Sequence, residues 1–319
     1  MIYAKIAGTG SYLPEKILSN ADLEKIVDTT DEWIVQRVGV RRRHLVGNSG
    51  DTTASMAEAA ARDAIASAKI EANDIDLIIV ATASPDCLFP SIACMIQEKL
   101  GISNECAAFD VNAGCSGFIY IMNIADQYIR AGAAKNILIV GVDTLSTVVD
   151  WTDRSTCILF GDGAGAAILS ASDQPGILAT HIHADGRYAS LLCAENALFS
   201  GKAKNYIQMQ GNAVFKVAVT KLGEIVDQTL AKANVDKHEI DWLIPHQANT
   251  RIIQAMAKRL DLSMDKVILT IEEHGNTSAA SIPLALDFAA KNKKIKRGQK
   301  LLLEAFGAGF AWGSALVVY

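Results

Sequence analysis

The chain repeats its own pattern, and few folds can accommodate that. NDIDLIIVATAS (residues 73–84) resembles HEIDWLIPHQAN (238–249), and AKNILIVGV (134–142) resembles QKLLLEAFG (299–307). Asp76 and Asp241 are 165 residues apart, as are Lys135 and Lys300, and the same shift sets Cys115 against Ala280. One pair breaks step: EKLGIS (98–103) and KRLDLS (258–263) are 160 apart. Five extra residues near Pro85–Phe89 in the first copy, balanced by five before Asn276 in the second, account for it.

The runs at 76–84, 136–143, 242–246 and 300–306 are apolar on both alternating faces, which reads as strands covered on both sides. Ala-, Leu- and Ile-rich periodic segments at 53–69, 91–100, 115–131, 212–233, 250–260 and 279–292 read as helices between them. Strands alternating with helices specify a layered α/β fold. The echo divides it into two similar halves, 1–172 and 173–319.

With 319 residues, half of them hydrophobic and only 20% charged, a large core is available. Net charge is −5, which argues against bulk attraction to nucleic acid or anionic membrane. No apolar run approaches the ~20 residues that span a bilayer, and the N-terminus MIYAKIAGTGSYLP lacks the parts of a signal peptide. The six cysteines form no CxxC pair and no zinc-type spacing. A reduced, cytoplasmic protein without a metal or other cofactor is the expectation, with five of the cysteines serving as small buried hydrophobes.

Cys115 is the sixth. It follows the extended piece near 106–111, sits in NAGCSG, and opens an amphipathic helix. A thiol at a helix N-terminus meets N–H groups and the positive end of the dipole. That can bring a cysteine from its usual pKa of about 8.5 down to ~3.5–7.5. Small neighbours leave room for a carbonyl, so the residue reads as an acyl-accepting nucleophile. The backbone N–H groups of Cys115 and of the loop Phe306-Gly307-Ala308-Gly309, Gly307 above all, are the candidate oxyanion donors.

Ligands of open α/β units sit at the carboxyl ends of strands. His246 ends the strand at 242–245, where the first half has Ala81, and Asn276 precedes the helix that mirrors the Cys115 helix. A pseudo-twofold brings all three to one crevice. Asn is no base, but it donates through its amide. Together with His it suits two hydrogen bonds to one carbonyl oxygen, as an enolate formed by loss of CO2 from a malonyl thioester requires. A papain-like Cys-His-Asn protease is disfavoured: the signature CG[SA]C[WY] is missing and the strand–helix pattern does not match.

NAGCSGF, HQAN (246–249), GNTSAAS (275–281) and the ending AFGAGFAWGSALVVY, in that order, closely resemble the β-ketoacyl-[acyl-carrier-protein] synthase III family of the thiolase superfamily, over essentially the whole chain. The resemblance implies a duplicated five-layer α-β-α-β-α fold and a homodimer, with the apolar loop CLFP (87–90) as a crossing element. It implies an acyltransferase that condenses an acyl-CoA, typically acetyl-CoA, with malonyl-acyl carrier protein to start fatty acid biosynthesis. Coenzyme A is there a substrate and not a cofactor. A relative of secondary metabolism that uses another acyl starter is the alternative. A non-catalytic partner subunit is disfavoured, because Cys115, His246 and Asn276 are all present.

Further roles follow from the resemblance residue by residue. Trp33, Arg37, Arg154, Gly211, Phe215 and Asn249 match contacts to coenzyme A. Gln247 and Arg251, with Lys216, Lys258 and Arg259, match the patch that receives the acidic carrier protein. Phe89, Leu145, Phe160, Leu191, Ile207 and Phe306 match the acyl pocket.

Other features read as structural. GDGAGA (161–166) lacks the GxGxxG spacing and reads as glycine packing into a buried strand. Arg41-Arg42-Arg43 is a solvated charge run or, beside Trp33 and Arg37, a set of phosphate contacts. The other histidines are bland, with His274 close enough to Asn276 to support it.

Overall fold

A computed structural model describes residues 2–47, 50–195, 201 and 206–319. The first half supplies strands β1 (Tyr3–Tyr12), β2 (Ile17–Ser19), β3 (Arg42–His44), β4 (Leu77–Ala81), β5 (Ala107–Val111), β6 (Asn136–Thr144) and β7 (Asp162–Ser172). The second supplies β8 (Ile177–Ala184), β9 (Leu192–Cys193), β10 (Gln208–Met209), β11 (Trp242–Pro245), β12 (Lys300–Gly307) and β13 (Ala311–Val318). The helices of eight or more residues are α1 (Asp31–Val38), α2 (Thr53–Ala68), α3 (Ile92–Lys99), α4 (Gly117–Arg130), α5 (Gly211–Ala233), α6 (Thr250–Leu260) and α7 (Ser281–Lys291). Each expected helix is present to within two residues at either end.

Two sheets carry the fold, in the orders β1-β7-β6-β4-β5 and β11-β12-β13-β8. In each, one parallel core pairing (β4 with β6, β11 with β12) is followed outward by two antiparallel strands. The partner of β5 in the second sheet shrinks to a single parallel bridge between Leu243 and Val267. The first sheet draws only on residues 3–172 and the second on 177–318.

The repeated residues make repeated bonds. Asp76 Oδ2 accepts from the Lys135 N–H at 2.7 Å, and Asp241 Oδ2 accepts from the Lys300 N–H at 2.8 Å. At the nucleophile the shift is 164: the 3-10 turns Gly114–Ser116 and Ser278–Ala280 correspond, each opening at φ +53°. Cys115 therefore faces Ala279 across the duplication, and not Ala280.

The strands are apolar throughout because both faces are covered. Leu77, Ile79 and Ala81 point with Leu301, Leu303 and Ala305 into a central layer of α4 and α7. Ile78 and Val80 face the opposite way, toward α2 and α3, and Leu243 and Leu302 face α5 and α6. Five layers result, α-β-α-β-α. Of the two middle helices α7 is buried almost all round, as a helix between two sheets must be; from Ser281 to Ala289 only Phe288 is not fully buried. A fourth apolar cluster joins α1, Leu145 and Phe160 beside the strand ends.

Glycines let the α7 turn touch the first sheet. A Cβ at Gly141 of β6 would lie 2.2 Å from the Ala279 carbonyl oxygen, and one at Gly165 of β7 would lie 2.7 Å from the Leu284 nitrogen. The GDGAGA run is thus a packing device. Gly141→Ala should destabilise the protein by at least ~1–3 kcal/mol, the usual cost of overpacking, because the obstacle is backbone. Gly186→Ala, with nothing within 4 Å of the added carbon, should shift stability by less than ~0.5 kcal/mol. Thermal unfolding of the two variants checks both, and equal melting temperatures would remove this account of the inter-layer contact.

Candidate active site

Cys115 sits in the 3-10 turn that feeds α4. The turn is held from the other half: a Cβ at Gly307 would lie 2.6 Å from the Cys115 nitrogen and 2.9 Å from the Ser116 nitrogen, and one at Gly114 would lie 3.1 Å from the Ala308 nitrogen. Two main chains meet there with no room for a side chain. Backbone of both halves thereby meets at the Cys115 turn.

Cys115 is partly buried, and it lines the cavity described below. Burial pushes its thiol up to about 12, and the nearby Asp143 carboxylate adds to the effect. The Ser278 hydroxyl and the residue's own N–H act the other way but are outweighed. Burial thus acts against the depressed thiol expected from the helix N-terminus. Asp143 is fully buried and accepts from Ala83 N–H at 2.7 Å, Ser84 Oγ at 2.9 Å and Ala279 N–H at 3.2 Å. It thereby ties the Ser278–Ala280 turn to the end of β6.

His246 follows β11, and its N–H donates to the Glu304 carbonyl at 2.8 Å. Its Nδ1 lies 2.6 Å from Ser281 Oγ. Burial drives the imidazole down to about 3, so the ring is neutral at any working pH. Asn276 is fixed at three points. Its N–H donates to the Leu159 carbonyl at 2.8 Å, its carbonyl accepts from Gly161 N–H at 3.0 Å, and its Oδ1 accepts from Ser278 N–H at 2.9 Å. The last bond leaves the Nδ2 protons for the cavity.

Cys115, His246 and Asn276 all line one cavity of about 390 Å³. Burial disfavours charge on both the thiol and the imidazole, which argues against a protease-like Cys–His ion pair. The same cavity is lined by Trp33, Arg37, Arg154, Gly211, Phe215, Asn249 and Arg251, and by Phe160 and Phe306. At its mouth the guanidinium carbons of Arg154 and Arg37 stand 4.8 and 5.4 Å from the Trp33 ring centre, and that of Arg251 stands 5.4 Å from Phe215. Asn249 Oδ1 caps α6 through Arg251 N–H at 2.9 Å, and its Nδ2 donates to the Arg37 carbonyl at 3.3 Å.

Several expected residues lie elsewhere. Gln247 is buried, donating to the Pro245 and Ile268 carbonyls and accepting from the Thr270 and Ile271 N–H groups. It braces the loop under the site and offers nothing to a docking partner. Lys216, Lys258 and Arg259 are exposed on α5 and α6, with Arg259 paired to Asp227. Phe89 is 83% exposed, outside the cavity of its own chain. Leu145 and Ile207 pack in the cluster behind Phe160, Leu191 packs against the α5–α6 side of the second sheet, and Leu192 and Met209 line the cavity instead. Arg41 and Arg42 pair with Glu272 and Glu273, and Arg43 is buried against Asn20 and the Leu18 and Ile158 carbonyls. None of the three lines the cavity. Among the other cysteines Cys157 alone is fully buried, and Cys94 is exposed. His274 is half-buried 6.1 Å from the His44 ring, and its Nδ1 has no hydrogen-bond partner among the described residues.

Family models for 3-oxoacyl-[acyl-carrier-protein] synthase III match residues 109–186, and for its C-terminal part residues 230–319. The chain is 60% identical over 317 residues to the β-ketoacyl-[acyl-carrier-protein] synthase III of Coxiella burnetii, covering 99% of both. The chain belongs to the β-ketoacyl-[acyl-carrier-protein] synthase III family. A Thiobacillus denitrificans relative of the same name is 57% identical over all of both chains. The crystal structure of the Aquifex aeolicus 3-oxoacyl-[acyl-carrier-protein] synthase III superposes with a TM-score of 0.94 at 47% identity, over 99% of this chain and 100% of that one.

Sequence reasoning passed over three residues of this site: Ser278, Ser281 and Glu304. Glu304 left a signal, since it is the one charged residue in the apolar run LLLEAF (301–306). The serines left none, because their role depends on what they face. Cys115 alkylation by iodoacetamide should be slow at pH 7 and rise about tenfold per pH unit through pH 9, as expected for a thiol far above its ordinary range. A plateau reached by pH 7 would contradict the buried-thiol account.

Proposed function

We propose that this enzyme condenses an acyl-CoA with malonyl-acyl carrier protein, releasing CoA and CO2 and forming the 3-oxoacyl-carrier protein that begins fatty acid synthesis. Acetyl-CoA is the proposed starter. The observation that carries the reading is the pair of neutral donors, His246 and Asn276, anchored from behind and aimed into the cavity that holds the Cys115 thiol.

In the first half-reaction the Cys115 sulfur attacks the thioester carbonyl. The thiol proton leaves with the CoA sulfur, so no standing thiolate is required. The carbonyl oxygen becomes an oxyanion beside the amides of Cys115 and Gly307. One thioester replaces another, and the step is close to balanced.

In the second, the malonyl thioester oxygen accepts from His246 Nε2 and Asn276 Nδ2. Gln247 N–H donates to Ser281 Oγ at 3.4 Å, which directs the hydroxyl proton to His246 Nδ1 and sets the imidazole proton on Nε2. The C–C bond to the carboxylate breaks, CO2 departs, and the electron pair forms an enolate held by the two donors. The enolate carbon attacks the acyl-Cys115 carbonyl, the tetrahedral intermediate collapses, and the sulfur leaves and takes one proton from solvent. A neutral imidazole suits this task, because it donates at every working pH and never competes for the thiol proton.

Trp33, Arg37 and Arg154 at the mouth suit the adenine and phosphates of coenzyme A. Arg251, Lys216, Lys258 and Arg259 form the basic surface for an acidic carrier protein. The exposed Leu88 and Phe89, 72% and 83% accessible, support a homodimer with this loop at the contact. Light scattering should give twice the chain mass, and a monomer would remove the dimer. We place the enzyme in the cytoplasm, where its thiols stay reduced.

Cys115→Ala should abolish condensation and keep malonyl decarboxylation. His246→Ala or Asn276→Ala should each cost that decarboxylation about 10²–10³-fold, the usual value of one oriented donor. An H246A variant that decarboxylates like its parent would overturn the assignment. With His246 held down to about 3, decarboxylation by the Cys115→Ala variant should show no acid limb near pH 6.5. Radiolabelled condensation with acetyl-, branched- and medium-chain acyl-CoAs tests the starter, and no turnover with acetyl-CoA would exclude the initiating role.

A further inference from the structure

Among the described residues Glu304 is the one carboxylic acid lining the cavity, and the mechanism above does not use it. It lies mid-strand in β12, 1% exposed, and its carbonyl oxygen holds the His246 N–H. Its Oε2 is buried without a hydrogen-bond partner. Ser314, opposite it in the β12–β13 register, also has a buried, unpartnered hydroxyl. An unpartnered carboxylate is expensive to bury, whereas a neutral carboxylic acid is tolerated.

Among the described residues, none packed on the Glu304 side chain offers it a counter-charge. Across β11 the neighbour is Pro245. The α5 residues that line the cavity, Gly211, Asn212, Val214, Phe215, Ala218 and Leu222, do not titrate. Lys221 of α5 is engaged with Glu224 at 2.8 Å, over the Trp312 ring of β13. From the Gly114–Ser116 turn comes Cys115, and from the end of β11 comes His246, both neutral. Arg37, Arg154 and Arg251 stand at the mouth against Trp33 and Phe215.

We propose that Glu304 is a positioning residue that must be uncharged for malonyl decarboxylation, and that its ionisation switches this half-reaction off. Decarboxylation builds negative charge on the thioester oxygen between His246 and Asn276. A second negative charge in the same low-dielectric cavity opposes it. Burial raises the Glu304 carboxyl to about 8, so the switch operates just above neutral pH. The inference rests on the condensing-enzyme reading and deepens it.

The test is malonyl decarboxylation by the Cys115→Ala protein between pH 6 and 9.5, with and without Glu304→Gln or Glu304→Asp. The parent should fall about tenfold from pH 7 to pH 9, following the neutral fraction of an acid of that pKa. Glu304→Gln should abolish the fall and Glu304→Asp should keep an alkaline limb. A limb that persists unchanged in E304Q overturns the proposal. If E304Q does not fold, the infrared carbonyl band of a protonated carboxyl in the parent decides. It must be present at pH 7 and vanish with the midpoint of the rate, and its absence at pH 7 overturns the proposal. No decarboxylation at any pH, with no acyl adduct on Cys115 in the unmodified protein, would instead refute the function itself and this inference with it.

Discussion

The site depends on one close approach: the Gly307 main chain lies against the Cys115 and Ser116 amides, where a Cβ would come within 3 Å of both. β12 belongs to the second half and the Cys115 turn to the first. Without that contact the nucleophile, the loop of amides beside it and the two donors would belong to separate crevices. The contact needs glycine at 307, a left-handed Gly114, and the two middle helices packed between the sheets so that both turns arrive at one level.

Burial then settles the chemistry. The same desolvation that pushes the Cys115 thiol up to about 12 drives His246 down to about 3 and raises Glu304 to about 8. Each group is thereby neutral near pH 7. A cavity of neutral donors and a thiol suits a reaction whose charge appears only in transit, first as a thioester oxyanion and then as an enolate. The rigid second contacts, Ser281 behind His246 and the Ser278 N–H behind Asn276, supply direction where charge would have supplied strength.

Much of the fold was legible because it is written in periodicity. The both-faced apolar strands, the helix limits and the 165-residue echo follow from local pattern, and the echoed Asp76 and Asp241 make the same bond to Lys135 and Lys300. Cys115, His246 and Asn276 were legible because each ends or opens an element. Gln247, one residue from His246, was misread because its direction depends on a turn that points it inward to four backbone groups. Phe89, Leu145, Leu191 and Ile207 lie outside the single-chain cavity for a related reason, since loops decide which apolar side chain reaches the space.

By itself, the sequence determined the layered α/β duplication, the three residues proposed to carry the chemistry and the family to which the chain belongs. Those are properties of residue type, spacing and order along the chain. Tertiary structure decided that burial acts against charge on Cys115 and His246, and that Glu304 faces the same space. Those are properties of desolvation and of what lies opposite a side chain. Neither is set by a residue's neighbours along the chain, and both are set by the second half folding over the first.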